Sequence, residues 1–563
     1  MSTDGKDWRY AVVMIGNITI TEKSFGPKNL YKQLKFSIKD NEKIGVIGRN
    51  GVGKSTLLGI LNGEDHDFSG DISYKRGLVV ISTRQEHHGV DEQSVLEYVL
   101  HDLPEYSELK HIMDTYPDEM GEDMRKITQY SEALERFDTL GYHTIEESII
   151  RELETFQIEE TKSRSPLKNL SGGQKRLVEV VKVMHANAQL ALIDEPTNHM
   201  DYVAKAQFID WVKAAEEAML IITHDRDVLE CVDRIIEIKD GTAHSFKGNY
   251  TAYLRQNTNS TTTQMHDFEV MQRQIENLKS KVLQFRRFKE RARDPDTIKQ
   301  FKRRENEAAM QLAELQKIKK PTFWIDKESA DDLAYKVGEN YEKFKTKNIS
   351  IQGMNEKESR SANILVNAQK VSLGYEEPLF EGVNLQLKEG ERVELRGRNG
   401  AGKTTFIKAI LAEAAGKEVK TLLSGEISIK NQLNIGVYEQ EVQESYFSLP
   451  LTGAIERMYL DKKLSISNQK IQQLLSHYLF SQGDALVPVV QLSGGQKARF
   501  QLISMLAEEP QLLILDEPTN HLDLPSIEEL ESAILRYTGA VIYVSHDSHF
   551  RKNIAAEVIK IAK

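Results

Sequence analysis

The sequence predicts an α/β chain: two copies of one domain, joined by an antiparallel α-helical hairpin. Three observations predict it. The same blocks occur twice in the same order: GRNGVGKST (Gly48–Thr56) and GRNGAGKTT (Gly397–Thr405), NLSGGQKR (Asn169–Arg176) and QLSGGQKA (Gln491–Ala498), LIDEPTNHMD (Leu192–Asp201) and LILDEPTNHLD (Leu513–Asp523), ITHD (Ile222–Asp225) and VSHD (Val544–Asp547). Within each copy, short apolar runs end in acids, as buried parallel strands do. Between the copies the texture changes to a basic heptad repeat.

Each copy opens on strand-like, alternating sequence. Lys43–Ile47 and Arg392–Arg396 then lead through Gly-rich turns into helices at Ser55–Leu61 and Thr404–Leu411. Leu190–Ile193 and Leu512–Leu515 read as buried strands. Ser171 to Ser493, Asp194 to Asp516 and His224 to His546 are each 322 positions apart, whereas Lys54 to Lys403 is 349. The first copy carries 33 extra residues between Gln85 and Ser171. That insertion, about 95–158, reads as largely helical, with breaks expected at Pro104 and Pro117.

In the connector, Phe268, Met271, Ile275, Leu278, Val282 and Phe285 fall at alternating steps of three and four. A helix over 262–291, about 45 Å long, is expected. Asp294 and Pro295 start a second helix with Ile298, Phe301, Ala308, Leu312 and Leu315, its seam broken by Glu305. The domain reading is therefore 1–256 for the first copy, 257–345 for the hairpin and 346–563 for the second copy.

Composition narrows the function classes. The chain has 563 residues, long enough for several domains, with 40% hydrophobic and 28% charged residues. Its one cysteine, Cys231, excludes an intramolecular disulfide, a Cys-rich zinc site and a Cys-ligated iron–sulfur cluster, and suits a reducing compartment. No secretory signal is expected at the start, and no apolar run approaches the ~20 residues that span a bilayer. Net charge is −11, yet Val270–Lys320 holds 15 Lys and Arg against 7 Asp and Glu. The strongest cluster is Arg286, Arg287, Lys289, Arg291, Arg293, Lys299, Lys302, Arg303 and Arg304, at the hairpin tip. Nine cations there can neutralise several phosphates of RNA, though a solvated coiled-coil face would look similar.

The repeated blocks carry the chemistry. Gly48 to Ser55 fits G-x-x-x-x-G-K-[ST], the P-loop, and Gly397 to Thr404 repeats it. Gly48, Asn50, Gly51, Gly53 and Thr56, with Gly397, Asn399, Gly400, Gly402 and Thr405, would turn backbone N–H groups towards phosphate oxygens. Lys54 and Lys403 would reach the β/γ-phosphates, and the Ser55 and Thr404 hydroxyls would hold Mg²⁺. Asp194 and Asp516 end apolar strands, where a carboxylate can serve the same ion. Glu195 and Glu517 follow directly and can polarise the attacking water. In isolation such an acid would more simply cap a turn; the P-loop in the same copy decides otherwise.

LSGGQ and DEPTNH resemble the ATP-binding-cassette ATPases. That resemblance implies two P-loop ATP-binding-cassette domains and two composite sites formed between them. One would join Lys54, Ser55, Gln85, Asp194, Glu195 and His224 to Ser493, Gly494 and Gly495. The other would join Lys403, Thr404, Gln440, Asp516, Glu517 and His546 to Ser171, Gly172 and Gly173. Gln85 and Gln440 look like the family's Q-loop residues beside the metal, His224 and His546 like its switch histidines, and Asp201 and Asp523 like its D-loop. Phe25 and Tyr375 are candidates to stack on adenine; an ordinary core role stays equally open.

Two cassettes without a membrane domain, an insertion in the first and a basic hairpin between them resemble the ABC-F proteins. That resemblance implies a cytoplasmic, monomeric, ribosome-associated ATPase that uses ATP and Mg²⁺, enters near the E site and points its hairpin at the P-site tRNA. The insertion would be the family's arm. The sequence stops at Lys563, so the extra C-terminal coiled coil of some relatives is not expected. The short hairpin tip leans towards a housekeeping translation factor; antibiotic resistance by ribosome protection is the alternative within the family. A tandem ATPase subunit of a membrane transporter is allowed by the cassettes alone, but the basic hairpin has no evident use there. A cassette-type DNA-repair ATPase would be expected to carry zinc-binding Cys or very long coiled coils.

Overall fold

The computed structural model describes residues 13–25, 28–84, 87, 89–119, 121, 123–198, 200–316, 351, 363–375, 377–438, 442–520 and 522–562. The chain divides into two compact units: residues up to Tyr250 with those from Ile349 onward, and Thr251–Asn348.

The first unit holds both copies, and each is built from two sheets. In the first copy β1 (Met14–Phe25), β2 (Lys28–Lys39) and β4 (Ser69–Tyr74) form an antiparallel sheet in the order β2-β1-β4. The central sheet comprises β3 (Lys43–Gly48), β5 (Val80–Ser82), β6 (Leu190–Asp194), β7 (Ala218–Ile222), β8 (Arg234–Lys239) and β9 (Thr242–Lys247), ordered β5-β6-β7-β3-β8-β9. It is parallel except for the β8–β9 pair. The second copy repeats this plan. β10 (Ile364–Gly374), β11 (Pro378–Lys388) and β13 (Leu422–Ile429) pair in the order β11-β10-β13. β12 (Arg392–Arg396), β14 (Ile435–Tyr438), β15 (Leu512–Asp516), β16 (Ala540–Val544) and β17 (Glu557–Lys560) form an all-parallel sheet, β14-β15-β16-β12-β17. Every residue of β6, β7, β15 and β16 is buried, which is why these strands read as unbroken apolar runs.

Two apolar clusters per copy flank the central sheet. In the first, Ile18, Ile20, Leu57 and Leu192 pack on the side of the P-loop helix. Ile149, Leu153, Val178 and Phe208 pack on the side of the helical insertion.

The insertion is helical. Val95–His101 starts on a Ser94/Glu97 capping box and stops before Pro104, as expected. Tyr106–Glu119 differs from expectation, because it runs through Pro117 rather than ending ahead of it. Pro117 lies in the last turn, so the disruption affects only the helix end. Met124–Thr139 packs back on that helix around Tyr106, Phe137 and Tyr142, with ring centroids 5.4–5.8 Å apart.

In the second unit, one helix spans Tyr250–Arg291, 42 residues, and a second spans Pro295–Gln316. The first is therefore about 63 Å long, not 45 Å. It begins just beyond Gly248, and no proline or glycine interrupts the polar stretch that follows. Within that stretch the Thr258 and Thr263 hydroxyls donate to the carbonyls of Leu254 and Asn259, one turn earlier. Met271, Ile275, Leu278, Val282 and Phe285 are the less exposed positions, as the heptad predicts. Asp294 caps the second helix through the Thr297 N–H at 2.9 Å. Near the tip, Phe288 packs on Phe301 with centroids 5.5 Å apart, and Lys289 pairs with Glu305. The break in the second seam is thus matched by a cation on the first helix.

Candidate nucleotide-hydrolysis site

Each P-loop leaves a parallel strand and enters a helix through a left-handed glycine. Gly53 has φ +106° and Gly402 φ +97°. A Cβ at Gly53 would lie 2.5 Å from Leu30 Cδ2, so only glycine fits both the dihedral and the space. The loop lysines fold over their own loops. Lys54 Nζ donates to the carbonyls of Gly48 (2.8 Å) and Arg49 (3.4 Å), and Lys403 Nζ to those of Gly397 and Arg398 (2.9 Å each). Both ammoniums are buried, which lowers their pKa against the pull of the neighbouring carboxylates.

Asp194 and Asp516 end β6 and β15, both buried. Thr404 Oγ1 donates to Asp516 Oδ2 at 3.0 Å. Two hard oxygens so placed fit a magnesium ion that keeps its other oxygens from phosphate and water. Among the described residues no group of three or more His, Cys, Asp or Glu could hold a metal unaided.

The next residues adopt an unusual backbone. Glu195 has φ +45° and Glu517 φ +50°, the left-handed region that non-glycine residues rarely occupy. Their N–H groups are fastened to the adjoining strands, donating to Ile222 O (2.8 Å) and Val544 O (3.0 Å). This turns each carboxylate towards the opposite loop. Glu195 Oε2 accepts from the backbone N–H of His224 at 3.3 Å, and Glu517 Oε2 from that of His546 at 3.1 Å. The imidazole Nε2 atoms stand 3.5 and 3.3 Å from the other carboxylate oxygens. Burial pushes Glu195 up to about 8 and Glu517 up to about 7. Burial, and then the P-loop lysine charge, holds both imidazoles below their usual range. Among the described residues, both ring nitrogens of His224 and Oε1 of Glu517 are buried without a hydrogen-bond partner. Such atoms call for a polar ligand.

The copies meet through these loops. Asp201 Oδ2 accepts from Arg398 Nε (3.2 Å) and from the Asn399 N–H (3.3 Å) of the second P-loop. Reciprocally, Asp523 Oδ2 accepts from the Asn50 N–H (3.1 Å) of the first. A cleft of about 1070 Å³ is lined by Ser171, Gly172 and Gly173 on one wall and by Gly400, Gly402, Lys403, Thr404, Thr405, Glu517 and His546 on the other. Opposite the first P-loop, Gly495 stands so close to Asn50 that a Cβ would lie 2.0 Å from its amide nitrogen.

Three features were not anticipated from the sequence. The left-handed glutamates are one. The second is the glutamine of LSGGQ: Gln174 and Gln496 complete capping boxes with Ser171 and Ser493 and so shape the start of each signature helix; S-x-x-Q ahead of an apolar run was the available signal. The third is a buried cluster in the first copy, where Glu179 on the signature helix takes hydrogen bonds from Tyr98 (2.6 Å), His87 (2.8 Å) and the Arg84 N–H (2.8 Å). Gln85 and Gln440 lie outside the described residues, as does the side chain of Phe25. Tyr375 is 73% exposed.

At the hairpin tip, Lys289 is committed to Glu305, while Arg286 and Arg303 pair along their own helices with Glu290 (3.8 Å) and Glu307 (3.0 Å). Arg287, Arg291, Arg293, Lys299, Lys302 and Arg304 are exposed and have no ion pair among the described residues.

The model for the family described as ABC transporter matches residues 31–198 and again 380–520. The chain belongs to that family, and within it is of the ABC-F type. A second model, also described as ABC transporter, matches residues 236–331. ABC-F relatives align over nearly the whole chain. The ribosome protection protein VmlR of Bacillus subtilis is 27% identical over 95% of this chain and 84% of that protein. ABC transporter F family member 5 of Arabidopsis thaliana is 27% identical over 96% of this chain and 74% of that one. Among solved structures, the archaeal ribosome recycling factor aABCE1, crystallised with the ribosomal stalk protein aP1, superposes with a TM-score of 0.52 at 17% identity, over 93% of this chain and 83% of that one. It shares the tandem-cassette fold. Among the described residues no helix of this ABC-F chain is long and apolar enough to cross a membrane.

Proposed function

We propose that the chain is a cytoplasmic, ribosome-binding translation factor that hydrolyses ATP at two composite sites and acts near the E site, its hairpin directed at the P-site tRNA. The observation that carries the hydrolytic part is the reciprocal seating of Asp201 and Asp523 on the P-loops of the opposite copies. It brings Ser171–Gly173 to one side of a cleft whose other side is Lys403, Thr404 and Glu517.

In this reading the P-loop N–H groups and Lys54 or Lys403 hold the phosphates. Ser55 with Asp194, and Thr404 with Asp516, would hold Mg²⁺, joined by Gln85 and Gln440, and such an ion would supply charge neutralisation for the phosphates. Glu195 and Glu517 orient the attacking water and receive its proton, and a raised carboxyl pKa suits a base working near neutral pH. His224 and His546, neutral donors or acceptors at the γ-phosphate, hold it in line. Ser171–Gly173 and Ser493–Gly495 close on that phosphate from the other copy, so bound ATP favours the closed form. Tyr375, and Phe25 in the first copy, would stack on adenine.

Ribosome binding is supported by the unpaired cations of the hairpin tip, which suit RNA phosphates, and by the ribosome protection protein among the relatives. The named relative also favours a second reading, protection of the ribosome against drugs. Ribosomes added to the purified chain should raise ATP turnover several-fold, and alanine at Arg287, Arg293, Lys302 and Arg304 should abolish that stimulation. Turnover unresponsive to ribosomes would refute the translation-factor reading. Altered drug sensitivity of a deletion strain, with unaltered growth otherwise, would favour protection.

A further inference from the structure

The seam between the copies is not symmetric. Asp201 and Lys205 lie one turn apart at the start of helix Tyr202–Ala214, and both reach the second copy. Lys205, its side chain only 7% exposed, pairs with the Asp225 and Asp227 carboxylates at 2.7 and 2.6 Å. Its third proton faces the backbone carbonyl oxygen of His546, 3.4 Å away. Asp227 in turn accepts from Ser548 Oγ at 2.7 Å. The peptide that carries His546 is thus fastened to the first copy at two points, two residues apart.

The 322-residue register exposes what the other side lacks. Lys205 corresponds to Ile527, Asp227 to His549 and Ser548 to Arg226. Helix Leu524–Arg536 starts, like its counterpart, on an aspartate that seats the opposite P-loop. One turn on it offers buried Ile527, which can donate nothing to the His224 carbonyl. Arg226 instead bridges to Glu531 at 3.2 Å and Glu528 at 3.9 Å.

We propose that Lys205 is a positioning residue for the second site: it holds the His546 peptide, and so the imidazole beside Glu517, in the place hydrolysis there requires, whereas in the reverse direction Arg226 fastens the segment after His224 and Ile527 offers its carbonyl no donor. The inference rests on the site roles proposed above. The P-loop and the switch loop of the second site then both hang from one turn of a helix in the first copy. A misplacement of about 1 Å at such a site can cost on the order of 100-fold in rate.

The test is single-turnover hydrolysis of ATP in the full chain, followed as phosphate released per chain, with Glu195→Gln and Glu517→Gln each marking the phase its site contributes. Lys205→Met should slow the phase that Glu517→Gln removes by at least about 10-fold, with ATP affinity within about twofold, and slow the other phase, whose His224 adjoins Asp225, by a clearly smaller factor. Lys205→Met with Asp227→Asn keeps the local net charge and should behave alike, so an unbalanced buried carboxylate is not the cause. Thermal unfolding checks that both variants fold. If both phases slow equally, or neither does, Lys205 is structural or idle and the inference fails. If Glu517→Gln removes no phase at all, the assignment of the site itself fails.

Discussion

Glu195 and Glu517 are held in a backbone conformation that costs of the order of 1 kcal/mol, and each is kept there by its N–H bond to a neighbouring strand and by its carboxylate's bond to the histidine N–H opposite. Nothing in the residue type signals this, because φ is set by the ladder around it; DEP shows where the acid lies but not how it is aimed. The P-loop glycines were legible because G-x-x-x-x-G-K states its own dihedral needs. Glu517→Gln should abolish turnover at its site, a loss of at least about 100-fold in phosphate release. The same change should raise the nucleotide-free unfolding midpoint. The folded pKa of Glu517 lies above its ordinary 4.5, at about 7. Stability therefore falls as pH rises from about 4.5 through 7, and glutamine removes that loss, up to about 3 kcal/mol at pH 8. An unfolding midpoint independent of the substitution across pH 5–8 would contradict the burial argument. Gly495→Ala should cut ATP turnover about 10-fold with little change in melting temperature, since its Cβ collides with Asn50 across the seam and not within a core.

At the scale of elements, the fully buried strands were readable as short unbroken apolar runs and the hairpin seam as a period of 3.5. The long helix begins twelve residues before the expected start at 262, where threonines and asparagines carry no periodic signal. The signature helix of the first copy is tied to the segment before Gln85 by Glu179. Burial alone would raise that carboxyl, but the His87 bond, the Lys182 charge and the Tyr98 bond together hold it at about 2. Its stabilisation is present above about pH 4.5 and is lost as pH falls through about 2. Glu179→Gln should destabilise the first copy by about 3 kcal/mol at pH 7 and flatten the acid limb of its unfolding curve. In the second copy the equivalent position is Gln501, so Gln501→Ala should leave that limb unchanged. For the hairpin, replacing four unpaired tip cations should reduce the slope of log affinity for ribosomes against log salt by about 3.

For the whole molecule, the central feature is contact between residues far apart in the chain: Asp201 and Asn399 are 198 positions apart, Asn50 and Asp523 473. No local pattern encodes such contacts, and only the resemblance to cassette ATPases anticipated them. The repeat register did contain the asymmetry of Lys205 and Ile527, visible once the copies are aligned. In the proposed function, nucleotide at the seam would close the copies, and the closed form would bind the ribosome. The most direct test is sedimentation of the Glu195→Gln, Glu517→Gln double variant through sucrose with purified ribosomes, in ATP or ADP, over a range of salt. The account predicts pelleting in ATP and not in ADP, weakened by salt and by loss of the tip cations. Absence of pelleting in either nucleotide, or equal pelleting in both, would contradict it.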